Sequence, residues 1–239
     1  MRTKRRIGLI VGGCVLASLS VLAGLIVWLG VGRGILVGPG VALIVVGLYL
    51  MALGPWQRRW GATAEEVRRS LPGDELLRAD APSTTRAITI DVRPEDVFPW
   101  LLQIGFGRGG WYSYDWIDND GEPSVDRIDP ALQHLEVGDR IEMMPGFGPV
   151  VREVERNHHI LSAGDADSWC MLVEPTPEGG TRLISRWRQD WPRSVGTFIW
   201  TVFADPGAFV MERKMLRTIK RLAETPRDLG TIRPQPARR

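Results

Sequence analysis

Hydrophobic positions follow two different rules along this chain. From Ile7 to Gly30 and from Ile35 to Gly54, apolar residues run on without a polar face. Arg33 is the only charge between Ile7 and Gln57. Beyond Gly61 the apolar positions alternate or recur at helical spacing. As a helix the first run would reach roughly 36 Å, enough for a hydrocarbon core of roughly 30 Å. A soluble helical hairpin would keep a polar face. A secretory signal has the same charged start, but a shorter apolar run and no second one directly behind it. Residues 1–60 therefore read as a transmembrane hairpin, with spans at about 7–30 and 35–54 joined by the turn at 31–34. Pro39 suits the first turn of the second span. Arg2, Lys4, Arg5 and Arg6 before the hairpin and Arg58 and Arg59 after it outnumber Arg33. That bias places both termini and the soluble domain on the cytoplasmic side of a cell (inner) membrane.

Residues 61–83 read as a tether. Thr63-Ala-Glu-Glu66 is a capping-box pattern opening a helix to about Leu71. Pro72-Gly73-Asp74 ends that helix, and Ala81-Pro82 breaks the chain again. A domain follows over 84–225. Ile88, Ile90 and Val92 share one face of a strand beginning at Thr84. Pro94 suits the start of a helix turning Val97, Trp100, Leu101 and Ile104 inward, with Pro99 kinking or shortening it. Strand-like runs cover Val137 to Met144, Pro149 to Glu155, His158 to Ala163, Ser168 to Glu174 and Thr181 to Trp191. Glu178-Gly-Gly180 marks the hairpin between the last two. In the last run Leu183, Trp187 and Trp191 share a face, while Arg182, Arg186 and Arg188 share the other, as in an antiparallel sheet with one wet side. Asp205-Pro206 reads as the N-cap and first position of a long helix. On it Phe209, Met215, Leu216, Ile219 and Leu222 form an apolar stripe, with solvated basic residues Arg213, Lys214, Arg217, Lys220 and Arg221 elsewhere. Residues 226–239, rich in Pro and Arg, read as a disordered tail.

Charge sharpens this division. The net charge of +2 hides a first sixty residues with seven basic and no acidic side chains. The other 23 basic residues face all 28 acidic ones, a formal −5. A mildly acidic domain argues against nucleic acid, which demands a basic footprint. Cys14 and Cys170 lie in an apolar run and a strand-like run and are not expected to pair.

The order of strand, short helix, antiparallel strands and long final helix resembles the helix-grip fold of the START-like (SRPBCC) superfamily, and within it membrane-anchored bacterial members of unassigned function. The residues carrying the likeness are Leu71-Pro-Gly-Asp74, Ala87-Ile-Thr-Ile90, Pro99-Trp-Leu101, Gly107-Arg-Gly-Gly-Trp-Tyr-Ser-Tyr-Asp-Trp116 and Phe209-Val-Met-Glu-Arg-Lys-Met-Leu216. It covers roughly Gly61 to Glu224. The resemblance implies an α+β domain whose curved sheet wraps the last helix around a cavity for a hydrophobic small molecule or lipid. It brings no catalytic residue with it.

The candidate site is the aromatic and acidic cluster after the glycine-rich turn. Arg108, Trp111, Tyr112, Tyr114, Asp115 and Trp116 are expected at the cavity mouth, with Ile141, Met143, Met171, Trp187 and Trp191 lining it. Arg108, Tyr112, Tyr114 and Asp115 would orient a polar head group, or form a hydrogen-bonded corner with Asp115 pairing Arg108. The same cavity would suit cyclase, dehydratase or hydrolase chemistry, or be packed solid in an interaction module. Gly105-Phe-Gly-Arg-Gly-Gly110 matches a dinucleotide fingerprint only formally, since no strand precedes it, so no cofactor is expected. Asp118-Asn-Asp-Gly121 lacks calcium ligands at the outer loop positions and reads as an acidic surface turn. His158 and His159, if both lie in a strand, point to opposite faces and cannot share a metal. No metal is expected.

Overall fold

In the computed structural model, residues 43–192 and 194–226 are described, together with Ser20, Gly24, Gly40 and Val41. The alternating runs build an antiparallel sheet in the order β1-β5-β4-β3-β2. The strands are β1 (Ser83–Ile90), β2 (Val150–Glu155), β3 (His159–Ala163), β4 (Asp167–Pro175) and β5 (Thr181–Gln189). Register follows the pleat: Ile88 stands opposite Leu183, and Trp169 opposite Trp187. The run at 137–144 is not a strand. It touches the sheet only through the isolated bridge of Arg140 to Val150. Gly138 and Gly148, both at positive φ, interrupt any longer ladder there.

Helix α1 (Gly54–Arg58) continues a helical stretch from residue 43 that includes a π turn at Tyr49–Leu53. Helices α2 (Ala64–Arg68), α3 (Pro94–Leu102) and α4 (Asp115–Asp118) follow. Then come α5 (Val195–Ile199), a π turn at Trp200–Ala204 and the long α6 (Asp205–Glu224). Asp205 is therefore not the N-cap expected of it, because helical backbone already precedes it. Its carboxylate instead pairs with Arg58 at 3.3 Å and lies 3.8 Å from Arg86. Pro99 sits within a nine-residue α3, short as its ring demands.

One face of the sheet packs on α3 and α6. Ile90, Trp169, Met171, Val173 and Leu183 meet Val97, Trp100 and Leu101 from α3 and Met215, Leu216 and Ile219 from α6. The opposite face is not wet. Residues 61–83 lie across it, and Leu71 joins Ala87, Leu161, Cys170, Leu172 and Ile184 in a second apolar cluster. Arg186 and Arg188 are buried there rather than solvated. Arg186 donates to the carbonyls of Glu66, Val67 and Arg69 and meets Asp74 at 2.6 Å. The guanidiniums find acceptors in the arm itself, and that lets charged residues close a sheet face.

The first predicted span and the tail from residue 227 onward lie outside the described residues, save Ser20 and Gly24. Among the described residues no helix is long and apolar enough to cross a membrane. The described part of the second span is helical and presents Leu43, Val45, Leu48 and Met51 outward, Met51 at 84% exposure.

Candidate functional site

The glycine-rich turn folds back on itself. Gly105 and Gly110 bridge each other, and Gly109 N–H donates to the Gln103 carbonyl at 2.7 Å. Gly110 has φ 87°, and a Cβ there would strike Ser124 Oγ at 2.4 Å, so only glycine fits this close approach. The turn delivers Trp111 and Tyr112 into the interior. Tyr112 itself takes a left-handed φ of 55°. Its hydroxyl accepts from Gln103 Nε2 at 2.6 Å, and its ring meets Trp100 edge-on at 6.0 Å. Burial pushes the phenol far above its ordinary range, which leaves it a poor acid or base at neutral pH.

Gln103, fully buried, is the hub that the sequence reading missed. It donates to Tyr112 and the Arg127 carbonyl and accepts from Asp129 N–H and Gln133. A lone Gln at a helix end carries no sequence signal for such a role.

The predicted mouth residues separate into different places. Arg108 does not pair with Asp115. Its Nη2 caps the carbonyls of Leu102 at 2.9 Å and Leu132 at 3.0 Å, and burial lowers its pKa. Asp115 instead accepts from Ser124 Oγ at 2.5 Å. Tyr114 is half-buried beneath Lys214, whose ammonium lies 3.9 Å from the ring centre. Trp116 is 52% exposed.

The lining residues do come together. Trp111 stacks on Trp169 at 5.9 Å, and Trp169 tilts against Trp187 at 5.5 Å, a ladder of three indoles along the inner sheet face. Ile141 and Met171 are fully buried in the same cluster, with Met143 packed at its edge. Trp191, half-buried, lies just beyond β5. Trp169 Nε1 donates to Ser185 Oγ at 2.9 Å. Trp100, Trp111 and Trp187 have buried indole N–H groups without an acceptor among the described residues, and so has Arg213 Nε. An open groove of about 590 Å³ lies elsewhere, at the C-terminal end of α6 between Ile88, Arg217, Arg221 and Glu224.

The expected acidic surface turn at 118–121 is also corrected. Asp118 and Asn119 are buried. Neither Asp118 oxygen has a hydrogen-bond partner of good geometry. Its pKa is pushed up to about 6, first by burial and then by the neighbouring Asp115 charge. Asp118 closes the four-residue helix α4, and no sequence pattern marked its burial.

The histidines are corrected too. His158 lies in the β2–β3 turn and only His159 in a strand, so the opposite-face rule does not apply. Their Nδ1 atoms are 2.9 Å apart, with Glu155 Oε2 beside both.

No protein-family model matches the sequence, and no curated protein matches it. The chain is similar to several solved structures over part of its length. Protein SSP2350 from Staphylococcus saprophyticus is 15% identical, with 60% of this chain and 92% of that chain covered and a TM-score of 0.38. The Polyketide_cyc-like protein Cgl2372 from Corynebacterium glutamicum is 16% identical over 62% of this chain and 92% of its own, with a TM-score of 0.29. The Aha1 dimer from Colwellia psychrerythraea is 17% identical over 56% of this chain and 93% of its own, with a TM-score of 0.31.

Proposed function

We propose that this chain is a membrane-anchored START-like domain that holds a hydrophobic small molecule or lipid between its sheet and its long helix, on the cytoplasmic side of the inner membrane. The observation that carries the reading is the set of unpartnered buried indole N–H groups on Trp100, Trp111 and Trp187. Buried donors normally have acceptors. Apolar surroundings with a few unused polar groups are the usual character of a small-molecule site. Ligand carbonyls or hydroxyls reaching the two ends of the indole ladder would accept from Trp111 and Trp187, while the ligand's apolar body replaced contacts among Trp111, Met171 and Leu216.

The anchor is supported by the apolar residues that the helical stretch at 43–53 turns outward and by the joint beneath them. Arg58 pairs with Asp205, Arg86 donates to the Gln57 carbonyl, and Trp56 and Trp60 pack edge-on against Phe209. A helix leaving the bilayer at Trp56–Trp60 would thus be keyed rigidly to β1 and α6.

Native mass spectrometry of the untagged protein released from mild detergent tests the reading. A co-purifying apolar adduct, lost in a Trp111→Ala variant that still folds, is the expected result. Absence of any adduct, together with no quenching of tryptophan fluorescence by brominated lipid, would overturn it. A reporter active only outside the cytoplasm should be silent at the C-terminus and active when inserted at Arg33.

Asp118 favours a second reading, acid–base chemistry on the bound molecule. A buried carboxyl titrating near neutrality suits proton transfer better than Tyr112 does. Asp118→Asn would then abolish turnover of the bound molecule while leaving its binding intact.

A further inference from the structure

We propose that Glu155, His158 and His159, at the tip of the β2–β3 hairpin, bind one divalent transition-metal ion of the Zn²⁺ or Co²⁺ kind. This site lies at the far edge of the sheet from β1 and is independent of the ligand reading above.

The hairpin builds it from fixed positions. Glu155 stands directly across from His159 in the β2–β3 register, so their side chains leave the same face. A left-handed Asn157, with φ 62°, turns the chain tightly enough to bring His158 onto that face as well. The three potential ligand atoms form a triangle. His158 Nδ1 and His159 Nδ1 are 2.9 Å apart, and Glu155 Oε2 lies 3.0 Å from the first and 3.4 Å from the second. These are the edges expected of ligands on one face of a coordination shell. Atoms each about 2.1 Å from a common ion, at ordinary tetrahedral or octahedral angles, stand about 3.0–3.4 Å from one another.

Proton counting points the same way. Two Nδ1 atoms at 2.9 Å cannot both carry hydrogens, since the two N–H groups would face each other. If only one is protonated, the other nitrogen's lone pair is set against the Glu155 carboxylate. A cation at the centre satisfies all three edges at once. Glu153 supplies the orienting partner: its Oε2 is 3.5 Å from His159 Nε2, a buried nitrogen with no other partner. A proton held on Nε2 toward Glu153 leaves Nδ1 free as a ligand, the carboxylate–histidine–metal arrangement that fixes a tautomer. Two imidazoles and one carboxylate favour a borderline transition ion over Ca²⁺ or Mg²⁺, which take oxygen ligands. Glu155 is exposed and His158 half-buried, so the ion enters from solvent and water completes its shell.

The test uses the full-length, untagged chain in detergent, stripped with chelator and titrated with Co²⁺. One ion per chain is expected, with visible absorption bands of nitrogen-ligated cobalt and displacement by Zn²⁺. His158→Gln, at a half-buried turn position, and Glu155→Gln, at an exposed one, should leave the metal-free unfolding midpoint unchanged and each weaken binding at least tenfold. The double variant should abolish it. Glu153→Gln should weaken binding about tenfold while preserving the bands; an unchanged affinity would remove its orienting role. His134, the remaining histidine, adds little background. No cobalt uptake at about 1 mM, or uptake that survives the double variant, overturns the proposal.

Discussion

The two faces of β5 are both buried, but by different physics. On the inner face Leu183 and Trp187 pack into an interior of indoles and aliphatic side chains. On the outer face Arg182, Arg186 and Arg188 reach through the arm at 61–83 and spend their donors on its carbonyls and carboxylates. Dispersion and water exclusion close the first side. Directed, charge-assisted hydrogen bonds close the second around a smaller apolar cluster at Ile184. A sheet face full of arginine is therefore not evidence of exposure when a nearby segment is rich in unpaired acceptors.

The two faces should answer differently to repair. Trp169→Ala removes the middle rung of the ladder and should cost about 3–5 kcal/mol. A second apolar change should not restore it, because a core relaxes only partly around a deleted indole. Arg186→Ala should cost a comparable amount, about 3–5 kcal/mol, by leaving Asp74 and the arm's carbonyls unpaired. Here a matched apolar pair, Arg186→Met with Asp74→Leu, should recover only the part of the loss that comes from the uncompensated Asp74 charge, since the arm's carbonyls and the Leu71 N–H stay unpaired. Urea unfolding in a fixed detergent measures both. Equal behaviour of the two faces on repair would erase the distinction.

Asp118 sharpens the comparison through pH. Its pKa of about 6 in the folded state stands above the ordinary 3.8. Between those values the folded chain holds a proton that the unfolded chain has released. Stability contributed there falls as pH rises through that window and stays lower above it. Asp118→Asn should therefore stabilise the protein at pH 8, on the order of 1–2 kcal/mol once solvent screening is allowed for, and do little at pH 4. A variant that is less stable at pH 8 would show that the carboxylate has a partner holding it charged.

The elements that the sequence made legible are those whose signal is local. The alternation of Ile88 and Ile90 and the stripe of Phe209, Leu216 and Ile219 all face the interior. The capping box at Thr63 and Glu66 forms with both of its hydrogen bonds. What stayed hidden depends on partners distant in sequence. Arg186 reads as solvated until Asp74 is brought beneath it, and Gln103 is anonymous until Tyr112, Arg127 and Asp129 surround it. Helical backbone upstream of Asp205 defeated the N-cap reading, because Asp-Pro signals a start only when the preceding residues are not already helical. Of the indole ladder, Trp111 and Trp187 were named from the sequence, but Trp169 between them was not, because it stands in a strand-like run away from the aromatic cluster. Asp118 and the paired histidines were not legible either, since each owes its environment to a turn whose conformation no periodicity encodes.

The smallest effect expected lies at the arm's own start and bears on how firmly the outer face is closed. Thr63 caps α2 by accepting from Glu66 N–H at 3.1 Å, while Glu66 returns a bond to the Thr63 N–H and a second to Arg182 at 2.7 Å. Burial raises the pKa of Glu66, but the bonds from Arg182 and Thr63 outweigh it and leave the carboxyl below its ordinary value. A depressed carboxylate adds stability that is present above its unfolded value, ordinarily 4.5, and is lost as pH falls through the lower folded one. Thr63→Ala should cost about 1 kcal/mol at neutral pH. It should also let the arm exchange its amide hydrogens earlier during acidification, with residues 64–76 losing protection while β4 keeps its own. That sequence of events runs opposite in sign to Asp118, so one acid titration by hydrogen exchange separates the two effects. If β4 and the arm lost protection together, the outer layer would have to be counted part of a single cooperative core, and the arginines would be closing the sheet as tightly as the indoles do.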